Sequence, residues 1–206
     1  MNKKSSIEKT KVLVGMAIFT ALVVVLQQLA GVIRIGVFTP SLVLIPIVIG
    51  AASYGWKSGA WLGLVFGVLV LGACISGTDL GGSAMWNYAP AVTAIICIVK
   101  GVAAGTAAGL VYELLHKKST LLATVLAAIV CPVVNTGLFA IGALAVFKPL
   151  LLEWAAGWAA QTGRDGVSLI AYVFLGMIGL NFLVEMGINV VLSPVIVRIL
   201  KIRKAA

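Results

Sequence analysis

The chain has 206 residues, 62% of them hydrophobic and only 10% charged, with a formal net charge of +9. Soluble globular domains carry about 25% charged residues, and several apolar runs here exceed the roughly 20 residues that cross a hydrocarbon core. Composition therefore excludes a soluble domain. The lysines and arginines sit at helix ends and form no continuous face, which excludes nucleic-acid binding as well.

The first eleven residues, MNKKSSIEKTK, are polar and basic and read as a cytoplasmic tail. An apolar segment follows from Val12 to about Ile33. It lacks a small-x-small exit leading into a polar region, so it is expected to remain as a spanning helix. Ala17 and Ala21 are four apart and share a face of this helix, and small residues at that spacing allow close helix approach. Packing inside the protein and docking of another subunit both fit that face. Arg34 to Pro40 reads as a short turn. The second span, Ser41 to about Tyr54, is short for a crossing, and Pro46 within it is expected to kink it. It fits either a broken helix beside a solute cavity or a tilted helix in a thinned bilayer.

Gly55 to Ser58 forms a tight turn into the third span, Gly59 to about Ile75. Gly55, Gly59, Gly63 and Gly67 recur every fourth residue, a stripe against which a neighbour can pack backbone to backbone. Residues 76–88, SGTDLGGSAMWNY, form a glycine-rich loop, either a mobile cover over a site or an ordinary reentry turn. Asp79, Trp86, Asn87 and Tyr88 supply its polar and aromatic contacts.

The fourth span opens at Pro90. Lys100 lies ten residues in, about 15 Å along a helix. An unpaired cation at that depth costs roughly 2.5 kcal/mol or more, so something must hold it or use it. Gly101, Gly105 and Gly109 continue the helix as a second small-residue stripe. His116, in the polar turn after it, reads as solvated. The fifth span, Thr120 to about Phe147, contains Pro132 and Asn135, which suggest a bend with an amide facing inward. Residues 148–167 form a second outer loop, where Trp154 and Trp158 share one face of a short interfacial helix. The sixth span, from about Ser168 to Arg198, carries Asn181, Glu185 and Asn189 along one stripe. Such a stripe must face the protein interior or a wet cavity.

With six crossings, Lys3, Lys4, Lys9, Lys11, Lys57, Lys117, Lys118, Arg198, Lys201, Arg203 and Lys204 fall on the side of the termini. Arg34, Lys148 and Arg164 fall on the other. The bias puts both termini in the cytoplasm. The expected fold is thus an all-α membrane protein: one integral domain, 1–206, of six transmembrane helices, with 76–88 and 148–167 outside the cell. The embedded polar set is small and contains no carboxylate pair placed as acid and base, no nucleophile triad, no phosphate loop and no metal-ligand cluster. An enzyme is not expected, nor is a cofactor. Cys74, Cys97 and Cys131 read as small buried hydrophobes.

Six helices in about 200 residues, the Ala17/Ala21 pair and the stretch Phe38 to Gly67, FTPSLVLIPIVIGAASYGWKSGAWLGLVFG, carry a family resemblance. The chain resembles the substrate-binding S components of the energy-coupling factor (ECF) vitamin transporters, in the branch that holds the pantothenate, folate and riboflavin binders. The resemblance implies capture of a vitamin at the outer face of a bacterial plasma membrane. It also implies association through Ala17 and Ala21 with a transmembrane coupling protein and two ATPase subunits, whose ATP hydrolysis topples the S component and releases the solute inside. Expected solute contacts are Lys100, Trp86, Asn87, Tyr88, Asn135, Asn181 and Glu185. Lys100 either pairs with Glu185 or meets an acidic solute, and the two roles are compatible. A buried cation suits pantothenate better than a neutral ring system. Riboflavin, folate or another small solute remains the alternative, as does a standalone secondary transporter.

Overall fold

The computed structural model describes residues 3–30, 43–164 and 166–205, with side chains over 7–29, 43–164, 166–179 and 181–200. The turn expected at Arg34 to Pro40 lies outside the described residues. Those described form an all-helical bundle: α1 (Lys3–Ala30), α2 (Leu44–Tyr54), α3 (Trp56–Ser76), α4 (Leu80–Tyr88), α5 (Pro90–Leu115), α6 (Thr120–Val146), α7 (Lys148–Thr162), the short α8 (Leu169–Ala171) and α9 (Gly179–Ala205). A π-helical turn, Tyr172–Met177, joins α8 to α9.

Among the described residues, five segments are long and apolar enough to cross a membrane: Ile7–Leu29, Trp56–Ser76, Pro90–Leu115, Thr120–Val146 and Asn181–Leu200. The second expected span is not of this kind. At 11 residues, α2 is about 16 Å long, roughly half the hydrocarbon thickness. Its Leu44, Pro46, Ile47, Val48, Ile49, Gly50 and Ala51 are all buried. A helix that is apolar all round belongs inside a protein, and α2 acts as a plug within the bundle. Pro46 does not kink it. The proline sits in the first turn, where a backbone N–H has no intrahelical partner to lose.

The tightest packing is between α3 and α5, where the two glycine stripes face each other. A Cβ added to Gly59 would strike the carbonyl of Gly105, one on Gly63 the carbonyl of Gly101, and one on Gly67 the carbonyl of Cys97. The reverse also holds for Gly101 against Gly63 and Gly105 against Gly59. Four-residue spacing keeps each stripe on one helix face, so the backbones touch over more than two turns. At the start of this seam Gly55 has φ +92°, and Glu113 near the end of α5 accepts a hydrogen bond from the Trp56 backbone N–H at 3.0 Å. The carboxylate thus satisfies one exposed donor at the α3 N-terminus and complements its dipole.

The first helix is peripheral. Only 11% of Ile7–Leu29 is buried, against 39% of the corresponding windows in α3, α5 and α6. It rests Gly15 on the Tyr54 ring, Phe19 edge-on to that ring at 6.2 Å, and Thr20 on Trp61, whose indole N–H donates at 3.3 Å. Ala17 and Ala21 face away from these contacts and are exposed.

The segments 76–88 and 148–167, read from sequence as loops, are largely helical. Gly77, in the left-handed region at φ +79°, ends α3. The Asp79 carboxylate then accepts from the Gly82 N–H at 3.0 Å and starts α4. In α7, Leu151 and Ala155 are buried, while the Trp158 ring meets Tyr172 at 5.9 Å.

Replacing Gly63 with Val is expected to force the α3–α5 seam apart and cost about 1–3 kcal/mol. Gly72→Ala serves as control, since its added Cβ meets nothing within 4 Å. It should be neutral or slightly stabilising. Thermal unfolding of both variants in the same detergent checks the pair.

Candidate functional site

Two apolar cores divide the bundle. One centres on α2 and the glycine seam, and includes Phe66, Val70, Cys74 and Cys97. The other gathers Met85, Ile96, Phe147, Leu151, Tyr172 and Met177 from α4 to α7 and the π-helical turn. A cavity of about 80 Å³, counted as space open to the centre of a water molecule, lies where the two cores meet. Its wall draws residues from both. One water needs roughly 10–15 Å³ by this measure, so the cavity has room for several.

Lys100 lines this cavity from α5, half-buried, with its ammonium 5.0 Å from the Phe139 ring centroid and 6.0 Å from that of Phe66. Ring faces carry partial negative charge and stabilise a desolvated cation by up to about 2 kcal/mol. Asn135 comes from α6, and Asn181 and Glu185 from α9, to the same wall. Four of the expected contacts are therefore brought together around one space. Asn189, next along the α9 stripe, lies below it in the interior, where its side-chain amide donates to the Glu185 carbonyl at 2.7 Å.

The other three expected contacts sit elsewhere. Trp86 packs half-buried against the core around α2, Asn87 is exposed, and Tyr88 is exposed with its ring 5.7 Å from Phe147. Helical periodicity is the reason. Once Asp79 caps α4, residues three apart share a face, and Asp79, Gly82 and Met85 present that face to the cavity.

The places of Gln27 and Asp79 in the cavity wall escaped sequence reasoning. Gln27 reaches the cavity from α1, only 9% exposed, and its side-chain oxygen makes no hydrogen bond. Asn135, 4% exposed, likewise has a side-chain oxygen without a hydrogen-bond partner. Two buried acceptors lining a cavity are costly when empty and rewarding to a solute that brings donors. Asp79 adds a second carboxylate to the wall beside Glu185, so the cavity is more acidic than the embedded residues alone indicated. The π-helical turn contributes too. Its wider winding, closed by the Ile178 N–H to the Val173 carbonyl at 2.9 Å, sets Met177 and Ile178 into the wall one turn before Asn181. Among the described residues no three His, Cys, Asp or Glu side chains gather as a metal site.

The candidate site is thus a largely apolar cavity with a few polar side chains, set inside a bundle whose long helices are of membrane-spanning length. Residues 11–197 match the family described as ECF transporter, substrate-specific component. The chain belongs to that family. No curated protein matches it. As a substrate-specific component, its function is membrane transport, and the cavity at the junction of the two cores is the candidate place for substrate. The match spans α2 to α8 whole, with residues 11–30 of α1 and 179–197 of α9, but does not distinguish one vitamin branch from another.

Asp79→Ala is expected to remove the α4 cap at a cost of about 1 kcal/mol. Hydrogen exchange should accelerate in 80–88 and stay unchanged in 102–115, with Asp79→Asn largely preserving protection.

Proposed function

We propose that this substrate-specific component captures a small hydroxylated or amidated carboxylic acid, pantothenate first among the vitamins, and delivers it into a bacterial cell. Lys100 is the observation that carries the reading. The half-buried Lys100 ammonium stands over the Phe66 and Phe139 rings at the cavity wall, where a solute carboxylate can meet it. Glu185 lines the same cavity wall as Lys100, and a pairing between them is compatible with the lysine meeting the solute. The acceptor oxygens of Gln27 and Asn135 then meet hydroxyl or amide N–H donors on the solute. Asn181 completes the inner set, while Asn87 and Tyr88 act from the exposed end of α4, with Trp86 anchoring that helix.

In this reading the five long helices and the short α2 make six passages, and the basic bias holds both termini in the cytoplasm. Residues 76–88 and 148–167, including α4 and α7, lie outside. The exposed face around Ala17 and Ala21 receives a transmembrane coupling protein, and two ATPases supply the energy. The chain itself contributes affinity and selectivity, and no catalysis.

Titration of purified protein with pantothenate tests this directly. Wild type is expected to bind, and Lys100→Met to bind about 10–100-fold more weakly, the worth of one charge-assisted hydrogen bond. Unchanged affinity in Lys100→Met removes the case for an acidic solute. Gln27→Leu should weaken binding about 3–10-fold, in keeping with one neutral hydrogen bond.

A further inference from the structure

Two of the three cysteines are not simple core fillers. Cys131 is: it lies fully buried in α6 and does not line the cavity. Cys74 on α3 and Cys97 on α5, by contrast, both line the cavity, with their sulfurs 4.0 Å apart. The glycine seam is what brings them together. Gly67 packs directly on the Cys97 carbonyl, and Cys74 follows two turns later on the same helix. From the other side α4 closes over the pair, since a Cβ on Gly82 would strike the Cys74 sulfur. The two thiols therefore face each other across a seam that is already at its closest approach, beside a space large enough for several waters.

We infer that Cys74 and Cys97 form an oxidisable dithiol site in the cavity wall, reached by small hydroperoxides and closed by them to an intramolecular disulfide. Hydrogen peroxide is little larger than water and fits the cavity. One sulfur attacks a peroxide oxygen: an S–O bond forms, the O–O bond breaks, and the departing hydroxide takes the thiol proton as water. The second sulfur then attacks the sulfenic acid: the S–S bond forms, the S–O bond breaks, and a second water leaves with the second thiol proton. Two thiols are oxidised by two electrons and one peroxide is reduced to two waters. A sulfur–sulfur bond is about 2.05 Å, so closure brings the two sulfurs about 2 Å nearer and changes the shape of the cavity wall they share. None of this depends on which solute the cavity takes.

The test is hydrogen peroxide treatment of the full chain in mild detergent, followed by alkylation, intact mass and peptide mapping. The expected result is loss of about 2 Da, one remaining alkylatable thiol at Cys131, a linked Cys74–Cys97 peptide, and full reversal by dithiothreitol. Cys131→Ser should behave identically apart from the missing third thiol. Cys74→Ser should instead give a sulfenic acid on Cys97 that dimedone traps. Three alkylatable thiols after treatment of the wild type, separate over-oxidation of the two cysteines, or a link to Cys131 or between molecules would each overturn the inference.

Discussion

The contact between the α3 and α5 backbones is the constraint on which the rest depends. Inside a bilayer, lipid tails are as apolar as the side chains they would replace, so burial of oily surface does little to hold helices together. Close packing does it instead, and here only glycine fits at Gly59, Gly63, Gly101 and Gly105. The seam fixes the relative height of two helices, and that height decides what lies beyond its end. Phe66, Cys74, Cys97 and Lys100 are all placed by it. The short α2 packs beside the seam as a fully apolar plug, closing one end of the bundle and leaving the polar residues to gather at the other.

What gathers there is unusual for a membrane interior: one ammonium, two carboxylates and three side-chain amides around a small space. Each group is individually unfavourable away from water, and together they make sense as a preformed environment for a hydrophilic solute. The helix contributing Gln27 is also the least buried of the long spans described, and a different face of it exposes Ala17 and Ala21. A single helix thus borders both the solute cavity and the proposed partner surface.

Much of this was legible in the sequence, and the reasons differ by element. The glycine period and the depth of Lys100 are one-dimensional signals that survive folding, because helix geometry maps spacing directly onto a face. The polar stripe of α9 was readable for the same reason. Helix α4 was not, because Gly81 and Gly82 have poor helix propensity and the segment folds only with Asp79 as cap and Cys74 as floor. Pro46 misled because a proline's effect depends on its distance from a helix start. Gln27 belongs to no periodic polar pattern in the sequence, and only the tertiary position of α1 brings it to the cavity. The π-helical turn left no periodic trace, since it alters winding without altering composition.

The central claim is that the cavity around Lys100 holds an acidic vitamin. Mass spectrometry of small molecules released from protein purified in mild detergent, without added solute, tests it most directly. The account predicts one stoichiometric water-soluble carboxylic acid bearing hydroxyl or amide groups. Recovery of a neutral ring compound or a cation in that role would contradict it.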